Sequence, residues 1–210
     1  MTFDTSVRAI TVNSDIYGGS FGYGSVDGNV RVTITGGNAF DFSGVLCGGA
    51  SYSRAFFSTD GERARRVESY VTGTKSLVFD SFTAGTFDGR ITVFDSLEVV
   101  NGSNISFTNA SLNLKDVRSW KFDTASSISG VRVNDFAGDS LEVEIASGWS
   151  ENDSTIMTAY RQSAFDGFDS LANVTLGGEA AAWDATETCY TSTSYKLFIE
   201  DKYLKFGKLA

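Results

Sequence analysis

Short stretches of alternating apolar and polar residues recur along the chain, separated by Gly, Asp, Asn and Ser. Clear examples begin at Val30, Ser76, Arg90 and Leu141 and read Val-Arg-Val-Thr-Ile, Ser-Leu-Val-Phe, Arg-Ile-Thr-Val-Phe and Leu-Glu-Val-Glu-Ile. An alternation of period two over four to eight residues is typical of half-buried β-strands. The pattern therefore predicts an all-β chain of short strands.

A Phe-Asp pair followed by Ser, Gly or Thr recurs at the borders of these predicted strands. Examples have Phe at positions 79, 87, 94, 122, 165 and 168. Asp side chains in turns accept hydrogen bonds from nearby backbone N–H groups. We therefore expect the Phe side chains to fill the interior and the Asp side chains to stabilise the bends.

Imperfect repeats favour a right-handed parallel β-helix, or β-solenoid, as the fold. Asp15-Ile-Tyr-Gly-Gly-Ser20 is echoed thirty residues later by Val45-Leu-Cys-Gly-Gly-Ala50, and Asp95-Ser-Leu-Glu-Val99 by Asp139-Ser-Leu-Glu-Val143. Such spacing predicts coils of about 20 to 30 residues with variable loops. A β-sandwich is the alternative, because Asp-Gly pairs at 27, 60, 88 and 166 are typical of hairpin turns.

The chain is predicted to form a single domain over residues 1–210, with two segments that depart from the repeat. Residues 51–66 are predicted to form a loop excursion in which Arg54, Phe57, Arg63, Arg65 and Arg66 provide a basic, aromatic binding surface. A solvated loop without a ligand is the alternative, because the chain as a whole is acidic. Residues 195–208 alternate cleanly and predict a hairpin that covers the open strand edge at the C-terminal end. The N-terminal end is then expected to stack on further chain or on a partner.

Composition narrows the function more by what is missing than by what is present. The chain has no Pro and no His. Without His, the Ser-His-Asp and Cys-His nucleophile arrangements and His-ligated zinc are excluded. The net charge of −9 disfavours nucleic acid and anionic membranes as partners. No apolar run is long enough to insert into a membrane as a helix, and the first residues do not have the pattern of a signal peptide.

The chain has two cysteines, and Cys47 and Cys189 are expected to be buried free thiols.

The Gly-Gly corners, the segment Val30-Arg-Val-Thr-Ile-Thr-Gly-Gly37 and the ending from Tyr195 to Phe206 resemble the repeat-rich passenger regions of bacterial autotransporter-like surface proteins. The resemblance implies a right-handed parallel β-helix that is secreted or displayed on the cell surface and acts in adhesion or as a scaffold. It carries over no catalytic residues, no metal and no cofactor. Endings of this family often carry Asn-Gly, where this chain has Asp201-Lys202. We therefore expect a longer hairpin loop here.

Any hydrolytic activity would have to depend on pairs of carboxylates, as in glycosidases. The candidate pairs are Asp80 with Asp95, Asp135 with Asp139, Glu142 with Glu144, and Asp166 with Asp169. Stabilisation of turns explains most of these residues without catalysis. The sequence therefore favours a non-enzymatic bacterial adhesin, stalk or scaffold whose partner is a glycan or a host or cell-surface protein. A polysaccharide lyase or glycoside hydrolase with a carboxylate pair in a lateral groove is the alternative.

Overall fold

A computed structural model describes residues 1–19, 26–49, 71–83, 85–87, 90–107, 117–131 and 138–209. The prediction of an all-β chain is confirmed for these residues. The strands are β1 Thr2–Asp4, β2 Ile10–Val12, β3 Ile16–Tyr17, β4 Val30–Thr35, β5 Phe40–Phe42, β6 Val45–Cys47, β7 Lys75–Asp80, β8 Gly85–Phe87, β9 Arg90–Thr92, β10 Ser96–Val100, β11 Asn104–Phe107, β12 Ser119–Asp123, β13 Ser127–Val131, β14 Ser140–Glu144, β15 Ser154–Ala159, β16 Asn173–Leu176, β17 Glu179–Asp184, β18 Cys189–Thr191, β19 Tyr195–Glu200 and β20 Tyr203–Lys208. Two short 3-10 helices, Gln162–Phe165 and Phe168–Ser170, lie between β15 and β16.

The first sixteen strands pair only in parallel with one another and form three stacks. Stack A contains β1, β4, β7, β10, β12, β14 and β16 in this order. Stack B contains β2, β5, β8, β11, β13 and β15. Stack C contains β3, β6 and β9. Sandwich hairpins would make these neighbours antiparallel, so the sandwich alternative is wrong for β1–β16.

The register of stack A aligns the apolar residues of successive strands in rows on its inner face. One row contains Val32, Leu77, Leu97, Trp120, Leu141 and Val174, and a second contains Ile34, Phe79, Val99, Phe122, Val143 and Leu176. No member of either row is more than 4% exposed. Burial of each such side chain stabilises the fold by roughly 1.5–3 kcal/mol. A slip of one residue would expose both rows, and the hydrophobic pattern therefore fixes the register.

The last four strands close the C-terminal ends of stacks A and B. They form an antiparallel meander in which β17 pairs with β18, β18 with β19, and β19 with β20. Its outer strands pair with the final strand of each stack, β17 with β16 and β20 with β15. The predicted hairpin therefore exists within a larger cap. The expectation of a longer loop is wrong, because Glu200 pairs with Tyr203 and Asp201 adopts a φ of 54° in a two-residue turn.

Side-chain hydrogen bonds hold the bends between strands, as predicted for the Phe-Asp pairs. The Asp95 carboxylate accepts the backbone N–H of Lys75 at 2.8 Å, and the Asp123 carboxylate accepts that of Ala125 at 3.0 Å. The bend between stacks A and B also contains two serines, Ser103 and Ser126, which are 0% and 2% exposed. Buried backbone groups in a bend need partners, and these side chains provide them.

Both cysteines are buried and neither forms a disulfide, which confirms the expectation of free thiols. The predicted binding loop at 51–66, with Arg54, Phe57, Arg63, Arg65 and Arg66, lies outside the described residues.

Candidate functional site

A polar groove of about 640 Å³ runs along the outer face of stack A. We call it the stack A groove. Its lining consists of Thr74, Asp95, Ser96, Leu97, Glu98, Arg118, Ser119, Trp120, Lys121, Asp139, Ser140, Leu141, Glu142, Asn173 and Thr175. Most of these residues alternate with the buried rows of β10, β12, β14 and β16, so their side chains point away from the core. The groove therefore crosses four successive strands of one sheet.

The charges in the groove alternate in sign from one strand to the next. Pairing places Lys121 between Glu98 on β10 and Glu142 on β14. A second row lies where the strands begin and follows the order Lys75, Asp95, Arg118 and Asp139, of which Lys75 is the first residue of β7 and the others directly precede β10, β12 and β14. Its backbone is joined by hydrogen bonds from Asp95 N to Lys75 O, from Arg118 N to Asp95 O and from Asp139 N to Arg118 O, at 2.8, 2.9 and 2.7 Å. Opposite charges on neighbouring strands stabilise the register.

Three cations at this face are neutralised by carboxylates. Arg31 forms a bidentate pair with Glu98 at 2.9 and 3.1 Å. Lys75 lies 2.9 Å from the Asp95 carboxylate. Lys121 lies 2.6 Å from Glu144 and 3.4 Å from Glu142. The hydrogen bond to Glu144 is the largest cause that raises the pKa of the Lys121 ammonium.

Two charged residues in the groove have no such partner. Arg118 and Asp139 are exposed, and their side chains form no ion pair or hydrogen bond within the described part of the chain. They directly precede the neighbouring strands β12 and β14, and adjacent strands are about 4.8 Å apart. A guanidinium donor and a carboxylate acceptor are therefore both available to a ligand, side by side.

A row of serine hydroxyls lies between the two charged rows. Ser76, Ser96, Ser119 and Ser140 occupy matching positions on β7, β10, β12 and β14. Ser76 and Ser96 are hydrogen-bonded at 2.8 Å, and Ser119 and Ser140 at 2.9 Å. Each hydroxyl can both donate and accept, so this row can also bond to a polar ligand.

A second, smaller pocket of about 370 Å³ lies beside the 3-10 helices. Asp166 and Asp169 line it together with Phe168 and Trp183. Phe168 packs edge-to-face against Trp183 at a ring distance of 5.9 Å, which gives the pocket an aromatic wall. Asp166 and Asp169, one of the predicted carboxylate pairs, thus line the same pocket.

Asp80 and Asp95 are placed differently from the predicted pair. Pairing aligns Val100 with Asp80 and Ser96 with Ser76, so Asp95 lies opposite Lys75 at the other end of β7. Five residues of extended chain separate the two positions by about 16 Å. Asp80 instead accepts hydrogen bonds from Ser81 and Asn101.

Glu142 and Glu144 share one face of β14 and both contact Lys121. Asp135 lies outside the described residues.

The register gives Asp95 a different neighbour, which the sequence reading missed. Asp139 occupies the same position two strands further along stack A, with Arg118 between them. The sequence contains a pattern that indicates this row of charges. Asp95-Ser-Leu-Glu98 and Asp139-Ser-Leu-Glu142 have the same sequence, and Arg118-Ser-Trp-Lys121 has basic residues in place of their acidic ones. The repeat of Asp-Ser-Leu-Glu was recognised as a feature of the fold, but its basic counterpart was not.

Comparison of the chain with protein-family models, with curated proteins and with solved structures finds no match. No helix in the described ranges has the length and apolar character needed to cross a membrane. Among the same residues, no three His, Cys, Asp or Glu side chains are grouped so that they could hold a metal ion.

Proposed function

We propose that the chain is a right-handed parallel β-helix that binds a glycan in the stack A groove without catalysis, as a secreted or surface-displayed bacterial adhesin, stalk or scaffold. The fold part of this proposal is supported by the parallel stacks, whose paired residues are 20 to 45 positions apart in sequence. Right-handed crossovers are strongly preferred for parallel strands. The location follows from the resemblance to autotransporter passengers.

The alternating charges of the stack A groove are the observation that supports glycan binding. Sugar hydroxyls both donate and accept hydrogen bonds, so they complement a surface in which acceptors and donors alternate. Asp95, Glu98, Asp139 and Glu142 supply the acceptors, and Arg118 and Lys121 supply the donors. The groove crosses four strands, about 14 Å at the usual strand spacing, which suits an extended oligosaccharide. A phosphate backbone would meet four carboxylates there, which supports the exclusion of nucleic acid.

A glycan array followed by titration calorimetry tests this proposal. We expect binding to at least one extended glycan and a loss of about tenfold or more in affinity for Arg118→Ala, because a hydrogen bond from a charged group contributes roughly 1.5–3 kcal/mol. Arg161→Ala is the matched control, since Arg161 is exposed and does not line the groove. A chain that binds no glycan, or one that loses as much affinity with Arg161→Ala as with Arg118→Ala, would contradict the proposal.

A carbohydrate-active enzyme is the second candidate, and the spacing of Asp95 and Asp139 favours it. Two strands of separation place their backbones about 9.6 Å apart, and side chains that lean toward each other from that spacing bring carboxyl groups into the range of roughly 6.5–9.5 Å found in inverting glycosidases. Incubation with acidic and neutral polysaccharides, followed by a reducing-end assay, distinguishes the candidates. Release of new ends that stops with Asp139→Asn would identify an enzyme, whereas unchanged polymers would leave the binding function.

A further inference from the structure

The smaller pocket of about 370 Å³, which we call the cap pocket, combines residues of both 3-10 helices with Trp183 on β17 and Ile199 on β19. Pairing places Trp183 in one row of the meander with Tyr190 and Leu197, which are 3% and 0% exposed. Trp183 and Ile199 are themselves only half-buried. The cap pocket therefore leaves part of an otherwise buried apolar face open to a ligand, in a volume within the usual range for small-molecule sites.

Two neighbouring aromatic rings fix the position of the Trp183 indole. Its ring centre lies 5.9 Å from that of Phe168 and 5.2 Å from that of Tyr190. The Tyr190 hydroxyl donates to the carbonyl of Leu171 at 3.3 Å, which ties this cluster to the end of the second 3-10 helix. The indole N–H of Trp183 forms no hydrogen bond within the described part of the chain. Indole is the aromatic group that attracts cations most strongly.

Two carboxylates line the cap pocket, and their surroundings differ from those at other Phe-Asp pairs. Asp80, Asp95 and Asp123 each accept at least one hydrogen bond at a bend of the stack. Asp166 and Asp169 also follow Phe residues, but among the described residues their side chains have no hydrogen bond or ion pair. Stabilisation of turns therefore does not account for these two carboxylates.

A tight turn between the 3-10 helices holds both carboxylates in place. Asp166 has φ −56° and ψ 131°, and Gly167 has φ 84° and ψ 2°, the values of a type II turn, in which Gly is favoured at the third residue. Phe165 and Phe168 on either side are 6% and 3% exposed. The hydroxyl and the N–H of Ser170 donate to the Gly167 carbonyl at 2.6 and 3.0 Å. A ligand would therefore meet a backbone that is already ordered, which lowers the entropic cost of binding.

We propose that the cap pocket binds a small primary alkylammonium ion. The ammonium group would donate hydrogen bonds to Asp166 and Asp169, and the alkyl chain would lie on Trp183 and Ile199. An anion would meet two carboxylates and, among the described lining residues, no Lys or Arg. The site is separate from the stack A groove, so the proposal does not depend on glycan binding there.

A calcium ion fits this site less well than an organic cation. Ca²⁺ takes about six to eight oxygen ligands, whereas the described residues contain no group of three His, Cys, Asp or Glu that could hold a metal. The aromatic and aliphatic wall of the pocket has no use in binding a bare ion, but it does bury the carbon chain of an alkylamine. An amino sugar supplies the same ammonium group, but its hydroxyls would face that apolar wall without hydrogen-bond partners.

A titration with n-butylammonium chloride, followed by NMR of the indole N–H groups, tests the proposal on the unaltered chain. We expect a saturable shift of the Trp183 resonance with n-butylammonium and none with n-butanol, which has the same carbon chain without the charge. The Trp149 indole N–H donates to Ser154 at 2.9 Å and should not move, so it serves as the internal reference. Glucosamine at the same concentrations should cause a smaller shift of the Trp183 resonance than n-butylammonium.

Three variants then test the role of the carboxylates. Asp166→Asn and Asp169→Asn should each weaken the affinity for n-butylammonium about two- to fivefold, as is typical of exposed ion pairs. Asp201→Asn is the matched control, because Asp201 is exposed, does not line the pocket and has a φ of 54° that Asn tolerates. The control should bind n-butylammonium as the unaltered chain does.

Three results would overturn the proposal. One is a Trp183 resonance that n-butylammonium does not shift saturably, or that n-butanol shifts equally. Another is a loss of affinity in Asp201→Asn as large as that in Asp166→Asn and Asp169→Asn, since the net negative charge of the chain would then explain the binding. The third is a larger shift with glucosamine than with n-butylammonium, which would contradict the alkyl character of the ligand.

Discussion

Replacement of Ser103 by Ala should destabilise the protein far more than its small size suggests. Ser103 is 0% exposed and lies in the bend that leads from stack A to stack B. Its hydroxyl accepts the backbone N–H of Phe82 at 3.0 Å and donates to the carbonyl of Val100 at 2.7 Å. Its own N–H donates to the Ser126 hydroxyl at 3.0 Å, so the bond network continues into the next turn of the chain.

The magnitude follows from the groups that lose their partners. In Ser103→Ala the Phe82 N–H remains buried without an acceptor, which costs about 1–3 kcal/mol. The Val100 carbonyl still accepts a hydrogen bond from the backbone N–H of Ser103 at 3.3 Å. Loss of the hydrogen bond from the Ser103 hydroxyl to this carbonyl should therefore contribute less, about 0.5–1.5 kcal/mol. We therefore expect a loss of about 1.5–4.5 kcal/mol in the free energy of unfolding.

Urea unfolding followed by tryptophan fluorescence and circular dichroism measures this loss. Ser127→Ala is the matched control, because Ser127 is the first residue of β13 in the next coil and its hydroxyl donates to the oxygen of the exposed Asn104 side chain at 3.3 Å. The control should lose less than about 0.5 kcal/mol, as is usual for surface positions. Native-state hydrogen exchange should also show faster exchange of the Phe82 amide in Ser103→Ala. Equal stability of the two variants would refute the reasoning that the buried hydroxyl stabilises the bend.

Two further predictions concern backbone strain and pH. Gly130 and Gly102 share a φ of +75°, but a Cβ on Gly130 would lie 2.3 Å from the carbonyl oxygen of Phe107, whereas one on Gly102 would meet nothing within 4 Å. Gly130→Ala should therefore lower the thermal midpoint clearly more than Gly102→Ala, and equal shifts would argue against the clash. Hydrogen bonds from Ser192 and Ser194 lower the pKa of Glu179, so its stabilising contribution is full above its unfolded pKa near 4.3 and is lost as the pH falls through the folded value. The stability difference between the native chain and Glu179→Gln should shrink in acid, and a difference independent of pH between 2 and 6 would contradict this.

Much of the fold could be predicted because its cause is local. Alternation in segments such as Val30–Thr35 predicts strands, and the structure has a strand there. Gly-Gly corners spaced thirty residues apart predicted successive coils, and Ile16 does pair in parallel with Leu46. The hairpin at 195–208 was also evident from alternation. Its loop length was not, because the two-residue turn requires the left-handed conformation of Asp201, which composition disfavours but tertiary pairing enforces.

The candidate site was harder to predict because it depends on register between strands that are distant in sequence. Asp80 and Asp95 are close in sequence but are placed at opposite ends of paired strands. Asp95 and Asp139 are 44 residues apart, yet they share one position on stack A. Two intervening coils of unequal length separate them, and sequence spacing alone does not reveal which residues become neighbours.

Short strands with one buried face and bends stabilised by Asp follow from the amino-acid sequence alone, since alternation and turn chemistry act over a few residues. Which outward residues of different coils become neighbours depends on the folded stack, because burial of the hydrophobic rows of stack A sets the register and thereby aligns the polar rows. Burial of Leu97, Trp120 and Leu141 in one row is what brings the alternating charges of the groove into line. The same packing presents the last strands of stacks A and B to the meander, which pairs with both.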